Sequence, residues 1–289
     1  MRLILSLCPS NTGQAIDKNK LLLIIDTQDE RIKYIDLEIA DTKDIVCLKG
    51  LCHSGQYLMI SAKTNSSTDR LIIIDVVSGK MSTSLMINSK DIHDMFSVYR
   101  GRIYGVSTGT DSINNLVISP ATNNLIKDTF HYKFDGTGSN DLHVNSLCNW
   151  NRRWYVSFFG HGWKNGNFEN GAIVELTKNN RKVYSNVNQP NSLFFNRNDE
   201  LCFCESGEGL FHYGRSIVYI GGYPRGVIED EVKNGYWIAS STLRSSHNNK
   251  THLYFMNYDG IIEQEIDLSD YSREIYSIVE AKGCLDMLL

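Results

Sequence analysis

The sequence has little proline and no long apolar run. Only 4 of its 289 residues are proline, whereas 15 are tyrosine, 11 phenylalanine and 4 tryptophan, a balance typical of β-structure. No stretch approaches the roughly 20 apolar residues that a membrane span needs. The apolar run at the start, Leu3–Leu7, is shorter than the about 7–15 residues of a signal peptide. We therefore expect a cytoplasmic protein with no membrane partner.

An excess of charge of one sign is also missing. The 29 Lys and Arg residues face 33 Asp and Glu residues, for a net charge of −4. Nucleic-acid binding needs a basic face, so no nucleic-acid partner is expected. There is no P-loop and no GxGxxG sequence opening a helix, so we predict no nucleotide cofactor.

The cysteines do not form a recognisable metal or disulfide pattern. Their number, seven, is odd, and most lie in apolar, strand-like runs, as buried reduced thiols do. Cys202 and Cys204 are one residue apart, which is not the spacing of a zinc-binding pair. We expect a protein without disulfides.

What the sequence does contain is one short pattern that occurs six times. Each copy has a polar residue, then a small or short one, then an apolar one, and the copies recur at intervals of 34 to 52 residues. Repeats of roughly 40–50 residues made of strands are the signature of a β-propeller. The six copies are Lys49-Gly50-Leu51, His93-Asp94-Met95, Asn145-Ser146-Leu147, Asn191-Ser192-Leu193, Arg225-Gly226-Val227 and Tyr276-Ser277-Ile278.

Each copy is followed by a turn, a second strand, an apolar third strand, a tight turn and a more polar fourth strand. The tight turns carry Gly or Asn, as in Ser78-Gly79 and Asp259-Gly260, because these residues tolerate positive φ. We predict an all-β, six-bladed β-propeller with four antiparallel strands per blade, in a single domain spanning residues 1–289. Segments 92–96 and 275–279 also fit a helical period, but the repeat alignment favours strands.

Both ends of the chain are predicted to build the closing blade. Its first strand comes from residues 273–282, and its outer strands come from residues 20–26 and 31–37. Its second strand is either Arg2–Leu7 or Cys284–Leu289. Closing the ring with strands from both ends removes exposed sheet edges.

Several strings of the sequence resemble an uncharacterised bacterial family of β-propellers. The resemblance implies the fold and carries no established activity. More distantly, a six-bladed ring is similar to the gluconolactonase and strictosidine-synthase group, whose members hold a divalent metal over the central channel with Glu, Asn and Asp. That ligand motif does not map onto this chain residue by residue. The strings are His143-Val-Asn-Ser-Leu147, Gln189-Pro-Asn-Ser-Leu193, Cys204-Glu-Ser-Gly-Glu-Gly209 and Gly221-Gly-Tyr-Pro-Arg-Gly226.

The repeat pattern predicts a polar funnel on the propeller axis. The first column consists of the motif residues Lys49, His93, Asn145, Asn191, Arg225 and Tyr276. The second column lies two residues earlier, on the same side of each strand, and consists of Cys47, Asp91, His143, Gln189, Tyr223 and Glu274. A column facing the core would be aliphatic, whereas all of these side chains except Cys47 can form strong hydrogen bonds. We therefore expect a small polar ligand to be bound by Lys49, Asp91, Asn145, Gln189, Asn191, Arg225, Glu274 and Tyr276. The alternative is a water-filled channel whose polar groups only satisfy the backbone.

Glu205 is the candidate acid or base of this funnel. It aligns with a column that is otherwise serine, and a carboxylate near the axis is unfavourable unless it is paired or metal-bound. We expect Arg225, His143 or a cation as its partner, with Glu205, His143 and His93 as catalytic residues. The alternative is a structural ion pair with Arg225.

A divalent metal is the one cofactor that the residues leave open. If one is present, mixed nitrogen and oxygen ligands would come from His93, His143, Glu205 and Glu274. Otherwise no cofactor is expected. Two rim loops complete the funnel, with Trp163 in the loop 159–171 and Arg244 in the loop 240–251 as candidate ligand contacts.

Three functions fit this sequence. The first is a hydrolase or lyase acting on a sugar-derived anionic ligand, which Lys49 and Arg225 would hold. The second is a non-catalytic scaffold that binds a protein or a glycan. The third is a metal-dependent, lactonase-like hydrolase. The sequence leaves the oligomeric state open.

Overall fold

A computed structural model provides the structure of the protein. It describes residues 1–8, 20–36, 44–66, 68–99, 101–119, 122, 124–134, 142–160, 171–177, 179–242, 250–271 and 274–289. Within these ranges, no helix is long and apolar enough to cross a membrane.

Twenty-four strands in the described ranges form six antiparallel sheets of four strands each. These sheets are the blades of a propeller, numbered here from blade 1, which contains the first strand. Blade 1 consists of β24 (Ile275–Glu280), β1 (Arg2–Leu7), β2 (Leu22–Asp26) and β3 (Arg31–Tyr34). Blade 2 consists of β4 (Ile45–Ser54), β5 (Tyr57–Thr64), β6 (Asp69–Asp75) and β7 (Met81–Ile87). Blade 3 consists of β8 (Ile92–Tyr99), β9 (Arg102–Ser107), β10 (Ser112–Ile118) and β11 (Leu125–Lys133).

The other three blades follow in chain order. Blade 4 consists of β12 (Val144–Trp150), β13 (Arg153–Phe158), β14 (Ala172–Leu176) and β15 (Arg181–Ser185). Blade 5 consists of β16 (Pro190–Phe195), β17 (Leu201–Glu205), β18 (Leu210–Tyr213) and β19 (Ser216–Tyr219). Blade 6 consists of β20 (Tyr223–Asp230), β21 (Gly235–Ser241), β22 (His252–Asn257) and β23 (Ile262–Asp267).

The predicted fold is therefore confirmed, including the closing blade. Strand β1 pairs with β24 on one side and with β2 on the other. This pairing resolves the ambiguity of the second strand in favour of Arg2–Leu7, because Gly283–Met287 forms a short 3₁₀ helix instead. The segments with a helical period are strands β8 and β24.

The turn prediction holds where the structure describes it. Gly79, Asn180 and Gly260 have φ values of 67°, 45° and 81°, which is the left-handed region that glycine and asparagine tolerate. These residues lie in the turns that join the third and fourth strands of blades 2, 4 and 6.

The hydrophobic core lies between neighbouring blades. Along β1, Leu3, Leu5 and Leu7 pack into the interface with blade 6, whereas Ile4 packs into the interface with blade 2. This alternation follows from the two-residue period of a strand that is covered on both faces. Four further clusters fill the remaining interfaces in the same way. The sequence is rich in β-branched and aromatic residues because the inner strands are buried on both faces.

Replacing a core residue at the closing seam should destabilise the whole ring. Leu5 is fully buried between blades 1 and 6, so Leu5→Ala should lower the free energy of unfolding by about 2–5 kcal/mol. Val232 is 90% exposed, and Val232→Ala should change it by less than about 0.5 kcal/mol. Denaturant unfolding of both variants measures the difference. Equal small changes would mean that the seam does not contribute to the cooperative core.

Candidate functional site

A β-bulge places the motif residues on the propeller axis. In every blade, the ladder between the innermost strand and the second strand shifts register at the repeat motif. In blades 3, 4 and 1 the extra residue is His93, Asn145 and Tyr276, respectively. A bulged residue leaves the ladder and its side chain is redirected. The six bulges therefore explain why polar side chains reach the channel from strands whose other residues are apolar.

The redirected side chains form one continuous polar network, which we call the hub layer. It joins all six blades, because each cation finds its partners on other blades. The hub layer consists of Lys49, Asp91, His93, Asn145, Asn191, Arg225, Glu274 and Tyr276.

Lys49 of blade 2 is bonded to blade 3. Its ammonium group forms a buried ion pair with Asp91 and lies 2.6 Å from Nε2 of His93. Because an ammonium group only donates, Nε2 of His93 is the acceptor, and its Nδ1–H donates to Oδ1 of Asn145 at 2.6 Å. The ammonium also lies 4.9 Å from the ring centroid of Tyr276, a cation–π contact.

Arg225 of blade 6 binds to the other half of the ring. Its Nη1 lies 3.4 Å from Oε1 of Glu274, and its Nη2 donates to Oδ1 of Asn145 at 3.2 Å. Its Nε donates to Oδ1 of Asn191 at 3.3 Å. The guanidinium lies 4.1 Å from the ring centroid of Tyr276. Tyr276 thus contacts both cations of the hub layer.

Burial and charge fix the protonation states here. Burial and the charge of Lys49 lower the pKa of His93 to about 4. Burial, followed by the neighbouring His93, lowers the pKa of His143 well below its usual value. Burial would raise the pKa of Asp91, but His93, Lys49 and Lys63 outweigh that effect and lower it. At neutral pH both imidazoles are neutral and Asp91 is ionised.

The positions two residues before the motif lie at the same end of the channel. Asp91, His143 and Gln189 have φ values of 56°, 52° and 55°, so three blades enter the inner strand through a left-handed residue. The His143 ring lies 5.1 Å from that of His93. Gln189 accepts a hydrogen bond from the Tyr223 hydroxyl at 2.8 Å, and that hydroxyl contacts Asn191 at 3.5 Å.

Next to the hub layer, the channel contains a cavity of about 120 Å³. Water needs at least about 10–15 Å³ of such space, so this cavity has room for a small ligand or several waters. Its apolar lining includes Leu51 and Phe194. The polar lining consists of His93, Asp94, Asn145, Ser146, Asn191, Ser192, Arg225, Tyr276 and Ser277.

The second residue of each motif is small or short because the inner strands approach one another closely at this position. A Cβ atom on Gly50 would lie 3.1 Å from the Cα atom of Asp94, and one on Gly226 would lie 3.0 Å from the Ile278 side chain. The inner strands are therefore crowded at the axis, which explains the small residues at this position. Asp94 is the exception in this column and the one carboxylate among the lining residues of the cavity.

Asp94 is the site residue that sequence reasoning missed. Its carboxylate accepts hydrogen bonds from the Ser146 hydroxyl at 2.6 Å, the Leu147 amide at 3.2 Å and the Met95 amide at 2.8 Å. Burial nevertheless raises its pKa above the usual value. The available signal was a carboxylate in a column of glycine and serine.

The two residues predicted as partners of Glu205, Arg225 and His143, are wrong. Its Oε2 lies 2.9 Å from Nε2 of His212, and its Oε1 accepts from the Asn188 amide at 2.8 Å; Arg225 pairs with Glu274 instead. The physical reason is register. Glu205 pairs with Pro190, the residue just before the motif of its blade. Ser157 instead pairs with Ser146, the second residue of its motif.

The serine column therefore mixes two registers. Ser6 and Ser157 pair with the second residue of the motif. Ser107, Ser240 and Glu205 instead pair with the residue just before the motif. A shift of one residue turns a side chain to the other face of a sheet. Glu205 consequently interacts within its own blade, on β18, rather than with the hub layer.

The predicted metal ligands are not assembled into one set. Among the described residues, no group of three or more His, Cys, Asp and Glu side chains is arranged to hold a metal ion. Of the four candidates, Glu205 pairs with His212 and Glu274 with Arg225. The rim candidates Trp163 and Arg244 lie outside the described residues.

Comparisons with known proteins identify the fold class. No protein-family model matches the chain, and no curated protein matches its sequence. Among solved structures, a candidate 6-phosphogluconolactonase from Bacteroides fragilis has a TM-score of 0.57 at 10% identity, over 91% of this chain and 80% of that one. The periplasmic gluconolactonase of Pseudomonas aeruginosa has a TM-score of 0.55 at 10% identity, over 91% and 82%. A luciferin-regenerating enzyme has a TM-score of 0.57 at 13% identity, over 79% and 78%.

These similarities are similarities of fold. They confirm the predicted likeness to gluconolactonase-type propellers in architecture, at identities of 10% to 13%. The protein is thus a six-bladed β-propeller of this general shape.

Acid should destabilise the fold through the hub imidazoles. The folded-state pKa of His93 is about 4, against 6.5 for an unperturbed histidine, so the unfolded chain binds more protons between these values. The neutral His93 contributes fully to the free energy of unfolding above about pH 6.5. As the pH falls to about 4, this contribution is lost, which lowers the free energy of unfolding by at most about 3 kcal/mol. Denaturant unfolding should show a shallower pH dependence in His93→Gln than in the unsubstituted protein. Parallel curves would contradict the buried, neutral state.

Proposed function

We propose that the protein binds a small polyhydroxylated molecule, such as a sugar lactone, in the channel cavity. The observation that carries this proposal is the cavity lining, in which amide, hydroxyl and guanidinium groups converge on about 120 Å³ beside the Tyr276 ring. Polyhydroxylated ligands both donate and accept hydrogen bonds, and an aromatic ring provides an apolar face for the carbon skeleton. Asn145 uses its Oδ1 within the hub layer, and no described residue accepts from its Nδ2, which leaves that donor for the ligand.

The charge balance favours a neutral ligand over the anionic one expected from the sequence. Lys49 is paired with Asp91, and Arg225 with Glu274, so neither cation brings a net positive charge to the channel. A buried pair that loses one partner to a competing anion leaves the other charge uncompensated. A lactone carries no charge and needs only hydrogen bonds.

Hydrolysis of a cyclic ester is the second candidate function, and Asp94 favours it. A buried carboxylate with a raised pKa is suited to act as a general base. It would take a proton from a water molecule that attacks the carbonyl carbon. When the ring C–O bond then breaks, Asp94 would return this proton to the departing ring oxygen, which gives a hydroxy acid. The solved structure named as a periplasmic gluconolactonase has a similar fold, which supports trying this reaction before lyase chemistry.

Filling the cavity should abolish ligand binding. Ser277 lines the cavity, and Ser277→Leu would replace its hydroxyl group with a bulkier isopropyl group that occupies this space. Calorimetry or ligand-observed NMR with a panel of sugar lactones, sugar acids and sugar phosphates should show binding that weakens at least about tenfold in this variant. The matched control is Ser216→Leu on the exposed outer strand β19, which should bind as the unsubstituted protein does. Equal binding by both variants would place the ligand elsewhere, as a rim-binding scaffold requires.

Removing the charge of Asp94 should separate binding from hydrolysis. Asp94→Asn keeps the shape and the acceptor oxygen but cannot take a proton, so turnover of a bound lactone should fall by about 10²-fold or more. Ring opening can be measured from the acid released, alongside calorimetry to confirm that the variant still binds. Glu205→Gln serves as the comparison and should keep full activity. A fully active Asp94→Asn would exclude Asp94 as the base.

A further inference from the structure

Two cysteines meet beside the hub layer, at the seam between blades 1 and 2. The Ser6 hydroxyl, at the end of β1, donates to the backbone carbonyl of Lys49 on β4. The two strands run in opposite directions from this contact, which brings Cys8, two residues after Ser6, to Cys47, two residues before Lys49. Their thiol groups are hydrogen-bonded to each other. The Cys8 amide donates to the Glu274 carbonyl at 3.0 Å, which anchors this end of the pair.

The two thiols differ in access. Cys8 is partly exposed, whereas Cys47 is buried. The hydrogen bond from Cys8 and the charge of Lys49 lower the pKa of Cys47, and the same hydrogen bond, together with burial, raises the pKa of Cys8. The pair therefore holds one shared proton when Cys47 is ionised. Burial also raises the pKa of Cys52, Cys148 and Cys204, and these three residues are buried in the core, so an oxidant does not reach their thiols. A partly exposed thiol that is hydrogen-bonded to a second thiol of lowered pKa is the arrangement of a redox-sensitive cysteine pair.

We propose that Cys8 and Cys47 are a site of reversible oxidation, at which hydrogen peroxide converts the dithiol into a disulfide that joins blade 1 to blade 2. Of the two residues, Cys8 is the more exposed, so we assign it the reaction with peroxide. None of the seven cysteines is in a disulfide in the reduced structure. The disulfide would lie two residues from Lys49, at the edge of the hub layer. The proposal does not depend on what the channel binds.

The chemistry balances with peroxide as the only oxidant. Cys47, whose pKa is lowered, first loses its proton to solvent. The Cys8 proton then passes to Cys47 along their hydrogen bond, and the Cys8 thiolate attacks one peroxide oxygen. The O–O bond breaks, which leaves a sulfenic acid on Cys8 and a hydroxide ion. Cys47 then loses its proton to that hydroxide, giving water, and its thiolate attacks the Cys8 sulfur. The S–S bond forms, and the hydroxide that leaves takes up one solvent proton, which replaces the proton that Cys47 first released. In total two thiols and one peroxide give one disulfide and two waters.

The test is a thiol count and a peptide map of the full chain after treatment with hydrogen peroxide. The unsubstituted protein should lose two titratable thiols, and a digest should contain the peptide linked through Cys8 and Cys47. Addition of a dithiol reductant should restore both. Absence of the linked peptide, or a bond between another pair of cysteines, would overturn the proposal.

Substitutions make the test specific. Cys8→Ser removes the partly exposed partner and should abolish the loss of the thiol pair, while Cys47 remains reduced. Cys284 is also partly exposed, and its thiol donates to the Val77 carbonyl elsewhere on the molecule, so Cys284→Ser should still form the linked peptide. Because Cys8 is not in the core, its variant is expected to fold even if Cys47→Ser does not. The assignment would be contradicted if peroxide still removed two thiols from Cys8→Ser. It would also be contradicted if Cys8 and Cys47 stayed reduced in Cys284→Ser.

Discussion

The contact of Tyr276 with both Lys49 and Arg225 holds the centre of the propeller together. Lys49 comes from blade 2, Arg225 from blade 6, and Tyr276 from the strand at the C-terminal end that closes blade 1. Each cation is also paired with a carboxylate from another blade. Removing one partner of such a buried pair costs about 3–5 kcal/mol. The hub layer is therefore complete only when the ring is closed.

This constraint determines which groups remain for chemistry. Both cations and both of their carboxylate partners are used to join blades, and both nitrogen atoms of His93 are hydrogen-bonded within the hub layer. The polar column thus joins the blades through contacts between side chains. The groups left for a ligand lie on one side of this layer, where Asp94, Ser192 and Ser277 line the cavity.

The fold could be predicted from the sequence because the inner strand of every blade has the same environment. Each inner strand is buried on both faces and turns a polar side chain to the axis, so the pattern survives six times in different residues. The site was predicted only in part. The columns of Lys49 and Asp91 came together as expected, since they depend on the position of a whole strand. Glu205 does not join these columns, because an alignment of repeats cannot detect a register shift of one residue at a bulge.

The contrast between Glu205 and Asp94 shows what decides a site in a repeated fold. Each is a carboxylate in a column where other blades have small residues, so the sequence pattern alone ranks them equally. In the structure, Glu205 faces His212 of its own blade, whereas Asp94 reaches Ser146 and Leu147 of the next blade. Contact across a blade interface near the axis brings a side chain to the channel. Neighbouring inner strands approach one another most closely there, so a departure from the repeat on an inner strand points to function more directly than one on a second strand.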